Sequence, residues 1–124
     1  MTQTASKTVT HRDASFDLAR HAVTLAYDTL PPAVTRLTKQ CVLDTLGVII
    51  GAGKLAPEAR TVMDFVKEME GKPESTLLSF GGRAPAPWAA FANGSLGHMI
   101  DYDDRCEGGH PSVTTVPVAF AIAE

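Results

Sequence analysis

The segment from Pro32 to Gly51 carries apolar side chains at helical spacing, and this pattern constrains the fold more than any other feature of the sequence. Two apolar stripes run along it, with Val34, Leu37, Cys41 and Val48 on one and Val42, Leu46, Ile49 and Ile50 on the other. Pro32 suits the first helical turn, and we expect Gly51 and Gly53 to end the helix. A helix that is apolar on most sides must be covered by its neighbours. We therefore predict that it forms the buried centre of a mainly α-helical domain.

Four further helices and one hairpin complete the predicted domain. Ser15 is a favourable N-cap residue and would begin the first helix. The first of these helices is predicted to cover residues 16–30. The third and fourth helices along the chain start at Pro57 and at about Pro87, and the fifth runs from about Ser112 to the end of the sequence. The segment STLLSF–GG–RAPA predicts a short β-hairpin near residues 75–84 that reverses at its two glycines.

The two ends of the sequence indicate where the domain lies. Residues 1–14 are rich in Ser and Thr, and we expect them to be a flexible tail. The last twelve residues, VTTVPVAFAIAE, stay apolar up to Glu124 and contain no capping signal. An apolar helical face needs a partner that covers it. We therefore expect residues 15–124 to be the N-terminal part of a longer helical domain that is truncated here.

The composition is that of a globular protein, with 44% hydrophobic residues and a net charge of −3. The lack of a basic stripe argues against nucleic-acid binding. No apolar run has the length of a membrane span, so we expect no membrane association. Cys41 and Cys106 lie in very different sequence contexts and do not suggest a disulfide framework. This favours a reducing compartment, and we expect the cytoplasm.

Residues 98–112, HMIDYDDRCEGGHPS, concentrate three aspartates, a glutamate, two histidines and an arginine. On a helical wheel, the fourth helix carries small and polar residues opposite its apolar face, namely Asn93, Gly94, Gly97, His98 and Asp101. Asp103 would point back towards the apolar face, so we expect the helix to break near Asp101 and a loop to follow. Ser112 could then cap the last helix, whose first N–H groups would suit a carboxylate or phosphate.

Several interpretations of this segment remain open. Asp101 and His110 could supply acid and base groups, whereas His98 and the aspartates could equally make structural hydrogen bonds and helix caps. His98, Asp101 and His110 are also a possible set of metal ligands. However, their spacing matches no zinc signature, and the acidic run lacks the glycine of an EF-hand loop. Cys106 has no identifiable partner, and we interpret it as an ordinary loop thiol.

The order of these motifs resembles that of the MmgE/PrpD family, which includes 2-methylcitrate dehydratase and cis-aconitate decarboxylase. AAFANGSLGHMIDYDD is followed by GGHPSVTTVPVAFAIAE, so that a His precedes an Asp-aromatic-Asp-Asp run and a His-Pro-Ser opens the last helix. The upstream segments LDTLGVIIGAG and STLLSFGGRAPAPWAAFANG fit the family as well. The likeness extends from about residue 16 to residue 124.

The resemblance implies the N-terminal portion of a helical domain in a homodimeric protein of several hundred residues. It implies a lyase or isomerase that acts on a small di- or tricarboxylate by proton transfer alpha to a carboxylate. It also implies that no metal and no organic cofactor takes part. Because further active-site residues of the family would lie beyond Glu124, we expect this chain alone to be inactive.

By position, the resemblance implies that Asp101 and His110 are catalytic, with His110 as general acid or base and Asp101 orienting the substrate or its partner. We expect the substrate to be bound by Arg105, Ser112, Asn93, His98 and Asp104. Arg105 stands where relatives that act on aconitate-type substrates commonly carry Thr, and its guanidinium could bind a further carboxylate. Two other functions remain open, a non-catalytic helical interaction module and a metal-dependent hydrolase that uses His98, Asp101 and His110.

Overall fold

The computed structural model describes residues 13–124, and this part of the chain is mainly α-helical. Its helices are α1 (Ala14–Thr24), a 3₁₀ helix (Tyr27–Thr29), α2 (Pro32–Leu55), α3 (Ala59–Glu68), α4 (Ala86–Met99) and α5 (Pro111–Ala123). Two short strands, β1 (Ser75–Thr76) and β2 (Arg83–Ala84), pair in antiparallel fashion. The predicted fold class, five helices with one short hairpin, is confirmed. Most of the tail predicted for residues 1–14 lies outside the described residues.

The smaller of two compact units ends at Thr35 and contains α1. Asp13 caps this helix, because its carboxylate accepts a hydrogen bond of 3.0 Å from the N–H of Ser15. The prediction that Ser15 caps a helix extending beyond Thr24 is therefore wrong at both ends. At the C-terminal end, the Thr24 hydroxyl donates to the Arg20 carbonyl at 2.8 Å, a side-chain contact that competes with helix continuation.

α2 is longer than predicted and buries only one side. Gly51 and Gly53 do not end it, because the helix continues to Leu55. Gly53 instead makes room for the hairpin, since a Cβ at this position would lie 1.7 Å from the Oγ of Ser79. The buried residues of α2 are Thr45, Val48, Ile49 and Ala52. Several apolar side chains of the same helix are at least half exposed, namely Leu37, Leu43, Ile50 and Leu55. The prediction that α2 is buried on most sides is therefore wrong. Neither α2 nor any other helix of the described residues is long and apolar enough to cross a membrane.

The core of the second unit is formed by small and medium-sized apolar side chains. Its members are Ile49, Ala52, Ala56, Ala59, Met63, Val66, Leu77, Ala84, Ala89, Ala92 and Leu96. Six of these are alanines, whose small side chains let the backbones approach closely. Beside this core, Phe65, Trp88 and Phe91 pack edge to face, with ring centroids 5.7 to 6.1 Å apart. These contacts hold α4 against α3.

Two polar side chains attach the hairpin to α4 and α5. Asn93 of α4 is 2% exposed. Its Oδ1 accepts a hydrogen bond of 3.0 Å from the N–H of Leu78, and its Nδ2 donates one of 2.9 Å to the carbonyl of Thr76. The hydroxyl of Ser75 donates to the Ala121 carbonyl in α5 at 2.8 Å. The hairpin therefore links the two helices whose ends carry the candidate site.

Candidate active site

The loop between α4 and α5 turns the chain so that the end of one helix meets the start of the next. α4 ends at Met99, and Asp101 then adopts the left-handed conformation with φ of +50°. Its N–H donates to the carbonyl of His98 at 3.1 Å. Cys106 and Gly109 exchange two backbone hydrogen bonds, of 2.9 and 3.1 Å, which close the loop. The predicted helix break near Asp101 is confirmed.

His98 and His110 meet where the two helices approach each other, and the carboxylate of Asp103 contacts both rings. The ring centroids are 4.4 Å apart. The Nδ1 of His98 lies 3.0 Å from Oδ1 of Asp103 and 3.3 Å from its Oδ2. The Nδ1 of His110 lies 3.1 Å from Oδ2, but it is not aligned for a hydrogen bond and has no other hydrogen-bonding partner among the described residues. We interpret this second contact as electrostatic.

Burial differs sharply within this group. The Asp103 side chain has no exposed surface, whereas the His98 side chain is 52% exposed and the His110 side chain 26%. A buried carboxylate is costly unless polar partners compensate for the lost water. Here the partners are the hydrogen bond with His98 and the close contact with His110. One inward-facing carboxylate thus holds two rings that solvent or a ligand can reach.

Asp101 adds a fourth side chain to the cluster. Ligand-type atoms of His98, Asp101, Asp103 and His110 all lie within 4.8 Å of one another. The structure therefore brings together both residues predicted to be catalytic and one predicted to bind substrate. It adds Asp103, which the sequence prediction left out. The missed signal was its place on the apolar side of the wheel, because a carboxylate facing the core requires partners and two histidines were nearby.

The same cluster is where the described residues could hold a divalent ion. Two imidazoles and two carboxylates suit several transition metals. Such an ion would either take the Nδ1 of His98 away from Asp103 or require the rings to turn and offer Nε2. The absence of a metal in the reaction stays a prediction.

Asp104 caps α5 from across the loop. Its carboxylate accepts hydrogen bonds from the N–H of Ser112, at 3.1 Å, and from the hydroxyl of the same residue. The expectation that Ser112 itself caps the helix is wrong, because His110 occupies the N-cap position and Ser112 is buried. These contacts occupy the amide and the hydroxyl that were predicted to bind substrate. Both residues hold the start of α5 next to the histidines.

Removal of the Asp104 carboxylate should destabilise the protein, while the side chains of both histidines are retained. We expect Asp104→Ala to lower the free energy of unfolding by about 0.5–2 kcal/mol, as loss of a helix cap does. Urea unfolding followed by circular dichroism measures the change. Asp64→Ala, at an exposed position of α3, is the matched control and should stay within about 0.5 kcal/mol of the original protein. Equal values for the two variants would contradict the capping role.

A groove of about 830 Å³ runs between α4 and α5, and both histidines line it. Its walls are otherwise mostly apolar. The polar strip predicted along α4 is divided by this arrangement: Gly94 and His98 line the groove, whereas Asn93 and Gly97 are buried. Gly97 lets α5 approach, because a Cβ there would lie 2.7 Å from Cγ2 of Val113. Gly94 faces α5 as well, but a Cβ there would make ordinary contacts of 3.5 Å or more, so only Gly97 is needed for the close approach.

Asn93 and Arg105, which were predicted to bind substrate, do not line this groove. Both ends of the Asn93 amide are used by the hairpin, so the structure gives this residue a different role. Arg105 is exposed in the loop. Its contact with a substrate carboxylate stays a prediction.

Comparison with known proteins identifies the family of the chain. Residues 16–124 match the MmgE/PrpD N-terminal domain. The chain is 33% identical over 98 residues to cis-aconitate decarboxylase of Mus musculus, which covers 77% of this chain and 20% of that protein. It is 31% identical over 112 residues to cis-aconitate decarboxylase of Homo sapiens, which covers 89% of this chain and 23% of that protein. It thus spans about a fifth of the length of these relatives. Since the domain match covers most of the sequence, the chain belongs to the MmgE/PrpD family.

Proposed function

We propose that this chain forms one part of the active site of a lyase or isomerase that acts on a small di- or tricarboxylate. The reaction moves a proton alpha to a carboxylate and uses neither a metal nor an organic cofactor. The observation that carries the proposal is the pair of imidazoles, held by a buried carboxylate, at a groove large enough for such a substrate. Similarity to two cis-aconitate decarboxylases supports a lyase with a carboxylate substrate.

His110 is the proposed general acid or base. Its side chain is 26% exposed and lines the groove, so it is accessible to a ligand yet partly removed from water. In a dehydration it would accept the alpha proton, and the hydroxyl group would leave as water with a proton supplied by a second acid group. In a decarboxylation it would deliver a proton to the carbon that loses CO₂. Asp101, exposed and close to both rings, would orient the substrate or the imidazole.

The groove alone does not supply the positive charge that a polycarboxylate needs. No lysine or arginine among the described residues lines it, and a carboxylate removed from water requires cationic or hydrogen-bonding partners. His98 could provide one donor, and Arg105 another from the loop. We propose that the remaining cationic groups come from other parts of the complete protein, so that the chain alone is inactive.

A panel of di- and tricarboxylates tests the proposal on the complete protein, which we propose to be a cytoplasmic homodimer. We expect at least one compound to lose water or CO₂, or to exchange its alpha proton in deuterated water, with no loss of rate in EDTA. Failure of every compound would refute the carboxylate lyase and favour an interaction module. Light scattering of the same sample measures whether it is a dimer.

The four-residue cluster favours a second candidate, a metal-dependent hydrolase that uses His98, Asp101 and His110. A metal-dependent hydrolase would respond differently from the proposed lyase to a chelator and to added metal. Activity would disappear on dialysis against a chelator and return with Zn²⁺, and elemental analysis would find stoichiometric metal in the purified protein.

A further inference from the structure

We infer that Asp103 is a positioning residue that sets the tautomer of both His98 and His110, so that each ring presents Nε2 as its proton acceptor. This inference rests on the proposed function, because it says how the proposed acid or base is prepared for its task.

Asp103 contacts both rings through its two carboxylate oxygens. Its side chain has no exposed surface, so water cannot solvate it. An ionised carboxylate only accepts hydrogen bonds. The groups that approach its two oxygens are the Nδ1 atoms of His98, at 3.0 Å from Oδ1, and of His110, at 3.1 Å from Oδ2. Oδ2 also lies 3.3 Å from the Nδ1 of His98, so one carboxylate faces the same nitrogen of both rings.

A neutral imidazole carries its single N–H hydrogen on one of two nitrogens. An acceptor facing Nδ1 favours the tautomer in which that nitrogen carries the hydrogen. In a neutral imidazole the lone pair then lies on Nε2, the nitrogen on the other side of the ring. The His98 contact has hydrogen-bond geometry. The His110 contact does not, but its Nδ1 lies 3.1 Å from Oδ2, and the ring torsion of a histidine is broad.

The position of the two rings decides which nitrogen a ligand would meet. Both histidines line the groove between α4 and α5, while Asp103 does not. With Nδ1 turned to the buried carboxylate, the nitrogen left for a ligand is Nε2. In the opposite tautomer Nε2 would carry a hydrogen and could not accept the alpha proton. One residue behind the site thus decides whether two residues at its surface can act as bases.

Asp103→Asn is the variant that separates this role from simple packing. The amide has nearly the same shape as the carboxylate but carries a donor in place of one acceptor. Whichever way it lies, its NH₂ group faces the Nδ1 of one ring. That ring must then accept at Nδ1 and carry its hydrogen on Nε2.

The experiment is solid-state ¹⁵N NMR of the complete protein labelled with [¹⁵N]histidine, with signals assigned through His98→Asn and His110→Asn. We expect both rings to be protonated at Nδ1 in the original protein, and one of them to switch to Nε2 in Asp103→Asn. If the switched ring is His110, kcat should fall by about 10²-fold or more, with KM nearly unchanged. Asp64→Asn, far along the sequence on the exposed face of α3, should leave spectra and kcat unchanged.

Two results would overturn the inference. One is an original protein in which either ring carries its hydrogen on Nε2, which needs no variant and holds even if Asp103→Asn fails to fold. The other is a folded Asp103→Asn protein whose two tautomers are unchanged. The spectra require no substrate, so they test Asp103 even if no carboxylate is turned over, and the two proposals fail separately.

Discussion

We expect replacement of His110 by Ala in the complete protein to lower kcat/KM for the proposed carboxylate substrate by about 10²–10⁴-fold, the usual contribution of one positioned proton-transfer group. The reason is chemical: the imidazole is the groove-lining group proposed to move the alpha proton. Its removal also leaves Asp103, a buried carboxylate, with one fewer partner. Some loss of stability is therefore expected in addition to the loss of activity.

A second variant separates these two effects. His110→Asn keeps an N–H donor close to where Nδ1 lies, but it has no group that titrates near neutral pH. We expect it to be as inactive as His110→Ala and to unfold at a temperature closer to that of the original protein. Initial rates and thermal unfolding of both variants provide the comparison. His21→Ala, at an exposed position of α1, is the control. Near-normal turnover by His110→Asn would refute the acid or base role.

Replacing Asn93 by Ala lowers the free energy of unfolding by about 2–5 kcal/mol, the largest stability effect that we predict. The side chain is 2% exposed and pairs with the Leu78 N–H and the Thr76 carbonyl. Each group left unpaired and removed from water costs about 1–3 kcal/mol, and the missing amide also leaves a cavity. The hairpin would lose its attachment to α4.

Urea unfolding measures this loss, and two comparisons sharpen it. Asn93→Asp retains the acceptor for Leu78, and a protonated carboxyl also offers one O–H donor to the Thr76 carbonyl, so we expect an intermediate value if the protein is studied where the new carboxyl is protonated. Gln40→Ala, an exposed amide of α2, should change the free energy of unfolding by less than about 0.5 kcal/mol. A similarly small effect of Asn93→Ala would show that the amide does not anchor the hairpin.

Much of the fold could be predicted because its signals are local. Pro87 near the start of α4, the paired glycines of the hairpin and the polar residues after Met99 each act within one helical turn or one reversal. The order of motifs from AAFANG to His-Pro-Ser identified the family from residues that stand close together in sequence. Asp101 and His110 were named as candidates for the same reason, and their catalytic roles stay predictions.

The errors arose where a partner is distant along the chain. The end of α2 was misplaced because Gly53 accommodates Ser79, which belongs to the hairpin. Ser112 was taken for the cap of α5, whereas Asp104, eight residues earlier, performs that function. No pattern within a single helix contains either contact.

The sequence by itself determined the helical class, the hairpin, the break after α4 and the family. These depend on backbone preferences and on apolar spacing, which a few neighbouring residues set. Only the tertiary structure decided that Asn93 anchors the hairpin and that Asp103 contacts both histidines. Those roles depend on which polar groups are removed from water together, because burial selects partners by proximity in space. The polar loop therefore indicated a candidate site from the sequence alone. The packing of α5 against α4 decided which of the polar side chains face the groove.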